Sequence, residues 1–71
     1  MNTIPQFIVD KVANATSESE RVRILSSCAE DMLNPDVHLS QVLAEEARRL
    51  ATEHSFTLEI AHANNILGGC A

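Results

Sequence analysis

Residues 55–67 read SFTLEIAHANNIL, and two competing periods within them decide the fold class. Phe56, Leu58 and Ile60 alternate as a strand would, whereas Phe56, Ile60, Ala63 and Leu67 recur at the spacing of one helix face. A lone five-residue strand has nothing to pair with in this chain. The spacing predicts a helix over about 58–67, capped by Ser55 or Thr57, with Asn64 and Asn65 as weak but tolerated helix formers. Gly68 then falls just past the last periodic residue, where a glycine in the left-handed conformation closes a helix. Residues 68–71 become a frayed tail.

Three further helices are predicted upstream. Over about 36–54, starting at Pro35 or as late as Ser40, residues Leu39, Leu43, Ala47, Leu50 and Ala51 share one side. Ala44, Ala47 and Ala51 leave room for another helix to approach closely. Glu45 and Glu46 stand four and three residues before Arg49, a spacing that supports ion pairs worth a few tenths of a kcal/mol each. Over about 18–33, Ser17-Glu18-Ser19-Glu20 offers a capping box, with Glu18 and Glu20 at the positive end of the helix dipole. Val22, Leu25, Cys28, Ala29, Met32 and Leu33 follow at helical spacing until Asn34-Pro35 stops the helix. With Ile24, that apolar stripe spreads over roughly half the circumference. Over about 4–14, Thr3-Ile4-Pro5-Gln6 fits another capping box with Pro in the first turn, and Ile4, Phe7, Ile8, Val12 and Ala15 share a face. The expected architecture is all-α, a small bundle of about four short helices forming one domain over residues 1–71.

A chain of 71 residues buries only roughly 60% of the surface its unfolded form exposes. Hydrophobic residues make up 45% of it, yet there is no Trp or Tyr, only two Phe, and nine Ala. The core must be built from aliphatic side chains of modest size. Ten acidic residues against five basic ones give a net charge of −5, and the basic residues are scattered or paired with acids, which argues against nucleic acid as a partner. No apolar run is long enough to span a bilayer, and MNTIPQFIVDKV lacks the basic and apolar regions of a secretory signal. A cytoplasmic location without membrane contact is expected, with Cys28 and Cys70 as reduced thiols. In a mature secreted fragment a Cys28–Cys70 disulfide becomes possible.

The side chains with chemical potential are His38, His54, His62, Cys28 and Cys70. None has a second ligand at the i,i+3, i,i+4 or Cys-x₂-Cys spacing that metal sites use, so no metal and no cofactor is expected. His54 projects near the centre of the apolar face of the third helix and reads as a partly buried core histidine, while His38 and His62 read as surface residues. Cys28, amid Leu25, Ala29 and Met32, reads as a small core residue with no base to activate it. No enzyme is expected, since so short a chain leaves little volume for a walled pocket of roughly 300–1,000 Å³.

Two resemblances attach to the C-terminal half. Gly68-Gly69 after a helical, acidic, Cys-poor segment resembles the end of a leader peptide in ribosomally made, modified peptides, which implies processing after Gly69. The hairpin ARRLATEHSFTLEIAHANNILGG, residues 47–69, is similar to the first two helices of a ubiquitin-associated domain, with Phe56 and Ala61 at its loop aromatic and helix-two alanine. His54-Ser55 replaces that family's Met-Gly, and the residues after Gly69 are too few for its third helix. In outline the hairpin is also similar to a helix-turn-helix, but the turn glycine is absent and residues 58–67 contain no Lys or Arg to read bases.

The expected function is that of a small acidic protein-interaction module, an adaptor, inhibitor or regulatory subunit, binding a protein partner or forming a homo-oligomer. Self-association is expected because Val9, Ile24, Val42 and Ile66 fall toward the edge of their helices' main faces or beyond. The expected interface centres on Ile24, Cys28 and Met32 of the widest stripe, with Val42 and Ile66. The alternative is a peptide precursor cut after Gly69.

Overall fold

The computed structural model of the protein describes residues 4–70, and of Cys70 the backbone alone. Thr3, expected as a cap, and the terminal Ala71 lie outside the described residues, as does the Cys70 thiol. Four helices follow one another with no strand among the described residues: α1 (Gln6–Ala13), α2 (Glu18–Asp31), α3 (Val37–Glu53) and α4 (Thr57–Cys70). The fold is the expected all-α bundle, and the 55–67 stretch is helical. Helices α2, α3 and α4 all pack against one another, with α3 most extensively engaged, whereas α1 closely approaches α2 alone.

Local chemistry sets the helix starts. Ser17 Oγ accepts the Glu20 N–H at 3.2 Å, as the capping pattern predicts. Glu20 reaches one residue further back than a regular capping box, its carboxylate accepting from the Thr16 hydroxyl at 2.6 Å. That hydroxyl is the main reason the Glu20 carboxyl titrates below its ordinary value. At α3 the cap is Asp36, whose Oδ1 accepts the Leu39 N–H at 3.0 Å. Helix α1 begins later than expected: Pro5 is its N-cap residue, with no side-chain cap bond, and Gln6 donates forward to Asp10 at 2.9 Å.

The turn between α3 and α4 carries strain. Ser55 adopts φ +59°, the one non-glycine residue with positive φ among those described. The Phe56 N–H bonds to Ala51 O at 2.8 Å and the Ser55 N–H to Thr52 O at 3.2 Å. This pair of bonds is a Schellman closure with serine at the left-handed position where glycine is usual. Ser55 thus terminates α3 instead of capping α4.

At the far end of α4 the expectation fails. Gly68 does not close the helix, and residues 68–70 are not a frayed tail: α4 runs through both glycines to Cys70, and no described glycine has positive φ. The reason is tertiary. Ile66 is buried and Leu67 packs against the core, while a Cβ at Gly69 would sit 3.4 Å from Leu33 Cδ2, so the last turn rests on the turn that follows α2.

The core is built from small residues along α3. Ser40, Leu43, Ala44, Ala47 and Ala51 are fully buried, joined by Ala29 of α2 and Ala63 of α4. Ser40 Oγ donates to Ala29 O at 2.6 Å, tying α3 to α2 through a bond shielded from water. Ser26, also buried, has a hydroxyl without a hydrogen-bond partner among the described residues.

Opposite substitutions at the two ends of α4 test this geometry. Ser55→Gly removes a left-handed serine and should stabilise by about 1 kcal/mol. Gly68→Ala, which meets nothing within 4 Å, should stabilise by about 0.5–1 kcal/mol through helix propensity. In a domain this small each kcal/mol raises Tm by roughly 4–8 °C. A drop in Tm for Gly68→Ala in thermal melts would mean that Gly68 closes the helix after all.

Candidate interaction surface

The structure distributes the five residues expected at an interface unevenly. Cys28, Val42 and Ile66 lie in the chain's own core, while Ile24 and Met32 are partly buried and packed against it. The wide stripe of α2 is wide because α2 lies against both α3 and α4, each of which covers part of it. The large apolar side chains left exposed are others: Phe7, Val9, Val37 and Leu58, the last 83% exposed. Val9 alone among them had been marked by its position off the main helix face.

The titratable candidates are dispersed. His54 is not a core residue: it sits at the C-cap of α3, about a third exposed, with its ring stacked on Phe56 and Nε2 3.5 Å from Glu18 Oε2. Termination of α3 at Glu53 carries it off the apolar face. His62 Nε2 lies 3.2 Å from Glu30 Oε1, so two His–Glu pairs link α2 to the α3–α4 hairpin. His38 is exposed. Among the described residues no three His, Cys, Asp or Glu side chains come together as a metal cage. Cys28 is a free buried thiol, and burial pushes it above its ordinary value, with Lys11 opposing and Asp31 reinforcing the shift. A thiol so placed is a poor nucleophile.

What the fold does form is an open trough. Helix α1 lies on α2 without approaching α3, and the space between them, about 350 Å³, is walled by Val9, Val12 and Ala13 of α1 and by Leu50 of α3, over Leu25 of α2. A second hollow of about 270 Å³ continues it along α3 to Val42, sharing Ile4, Glu46 and Arg49. This volume reaches the lower end of ligand clefts, more than the chain length led one to expect. Among the described residues its lining contains no histidine, cysteine or hydroxyl side chain.

The rim is polar. Arg49 donates to Glu46 through two nitrogens, at 2.7 and 3.1 Å, and to Glu53 at 3.2 Å. The Arg49 contact holds the Glu46 carboxyl below its ordinary value against the opposing effect of burial. Glu45, equally well spaced for Arg49 in the sequence, makes no such pair. Across the trough, Arg21 bonds Glu18 at 2.7 Å, and its Nε is shielded from water without an acceptor.

No family model, curated protein or solved structure matches this chain. No helix among the described residues is long and apolar enough to cross a membrane. The Gly68-Gly69 pair, the expected cut site, is wound into α4, so a protease that needs an extended segment would first have to unwind that turn.

Burial of Cys28 has a measurable sign. The folded state keeps the thiol proton beyond the pH at which unfolded chains release theirs. Stability from this group is intact below the ordinary thiol value and declines as pH rises through it toward the raised folded-state value. In a Cys70→Ser background, Cys28 should resist a thiol reagent until the chain is unfolded, and Cys28→Ala should flatten the alkaline decline of the urea midpoint. Labelling of the native protein at the rate of a free thiol would contradict the placement.

Proposed function

We propose that this chain is a small acidic protein-interaction module of the cytoplasm, an adaptor, inhibitor or regulatory subunit, that meets its partner through the trough between α1 and α3. The observation that carries this reading is an apolar, water-accessible trough between α1 and α3 with a charged rim. Such a surface offers shape and apolar area, and its rim carboxylates Glu45 and Glu46 offer charge. An apolar hollow rimmed by polar groups is one form that a partner site takes.

The sequence argument for self-association rests on Val9, Ile24, Val42 and Ile66 at the edges of their helices' main faces, with the α2 stripe at the centre of the expected interface. With Cys28, Val42 and Ile66 covered by the chain's own helices, the exposed large apolar side chains are Phe7 and Val9 of α1, Val37 of α3 and Leu58 of α4, of which Val9 lines the trough, and capture of another chain becomes the preferred form of the reading. Nucleic acid is disfavoured as partner by the −5 charge.

A photo-crosslinking residue at position 9 should capture one protein in the producing cell, and the same residue at Asn64 on α4 should not. Labelling that is equal at both positions, or absent from position 9, overturns the reading. Sedimentation equilibrium of the purified chain should give a monomer. A dimer abolished by Val9→Arg would make the partner a second copy.

A further inference from the structure

We infer that the occupant of the trough is a basic amphipathic helix of a partner protein. This rests on the interaction-module reading and adds the chemistry of the partner. The shape argues for a helix. Helices α1 and α3 flank the trough without approaching each other, and α2 floors it through Leu25. The vacancy is therefore a helix-packing position bounded on three sides by helices, where a fourth can lay its side chains between the existing ridges. From Leu50 to Val42 the trough follows eight residues of α3, about 12 Å of helix axis, so about two turns of a partner suffice to fill it. The walls at Val9, Val12 and Leu50 suit apolar anchors at i, i+3 and i+4 spacing.

Charge argues for a basic one. Both guanidinium groups at the rim are already held by the chain's own carboxylates, Arg21 by Glu18 and Arg49 by Glu46 and Glu53. Glu45 is exposed, lines the trough, and has no ion-pair partner among the described residues. Four carboxylates thus stand around two guanidinium groups, on a chain of net charge −5. An anionic occupant, including an acidic peptide, a fatty acid or a second copy of this chain, meets repulsion with no unpaired Lys or Arg among the described residues of the lining to offset it. A helix with Lys or Arg beside its apolar stripe meets Glu45 and the outward edges of Glu46 and Glu53.

Binding of a fluorescein-labelled Leu/Lys amphipathic peptide to the full chain, followed by anisotropy, tests this against a Leu/Glu peptide with the same apolar stripe. The Leu/Lys peptide should bind about tenfold tighter or better, with the advantage shrinking as salt is raised past the physiological range. Glu45→Lys and Glu59→Lys change the net charge equally, but only the first lies at the trough. The first should weaken binding about tenfold and the second should leave it nearly unchanged. Val9→Arg should abolish binding, and thermal melts of all three variants verify that they remain folded. Equal losses from both Glu→Lys variants would show attraction to the whole acidic chain and overturn the inference. Equal affinity for the two peptides, or no binding of either while position 9 still captures a cellular protein, would also overturn it and leave the interaction-module reading standing. Failure of capture at position 9 removes both.

Discussion

The bundle depends on the close approach of α3 to its two neighbours. Ser40, Ala44, Ala47 and Ala51 recur along one side of α3 and are all fully buried, facing partners such as Ala29 and Ala63 that are equally small. With no Trp or Tyr and two Phe, the chain has few large side chains to bury. It compensates by bringing backbones together, so that many weak dispersion contacts accumulate at short range. The Ser40–Ala29 hydrogen bond fits the same geometry, because a hydroxyl on so short a side chain reaches a neighbouring carbonyl only when the helices nearly touch. Any side chain larger than alanine along this seam would separate the helices and loosen contacts well beyond its own position.

Where structure followed from neighbours in sequence, the sequence was readable. The stripes of α2 and α3 were visible as periodicity, and Ser17 announced the start of α2. Asp36 could have been found by the same rule, since a carboxylate just after Asn34-Pro35 and three residues before Leu39 has the spacing of a cap. The end of α4 was not readable, because Leu33, thirty-six residues away, is what the helical Gly69 rests on. Glycine is the usual stop signal of a helix, yet the left-handed turn falls on Ser55, where the Schellman bonds and packing of Phe56 against the core hold it in place. Arg49 likewise had two acids at suitable spacing, and only side-chain geometry selects Glu46 over Glu45.

The surface was less legible than the core for a related reason. An edge position such as Val42 or Ile66 is exposed if its helix has one neighbour and buried if it has two, and sequence periodicity does not count neighbours. The trough arises from a difference in length. Helix α1 has 8 residues against 17 in α3, and having laid Ile8 against α2 it has too little remaining surface to cover α3 as well. The apolar flank formed by Val9 and Ala13 is what that shortfall leaves uncovered.

Attachment of α1 to a single neighbour divides the molecule into two cooperative units of unequal strength. Its one fully buried large side chain is Ile8, with Ile4 and Val12 partly buried beside it, so lifting α1 away exposes few groups beyond a residue worth about 1.5–3 kcal/mol at full burial. The Ser40–Ala29 bond and the alanine seam lie wholly among α2, α3 and α4 and are untouched by that motion. This division predicts a sub-globally opened form in which residues 6–13 exchange their amide protons with water while the other three helices stay protected. A molecule seated against Val9 and Leu50 at once would bridge the two units and deplete the opened form in proportion to its occupancy.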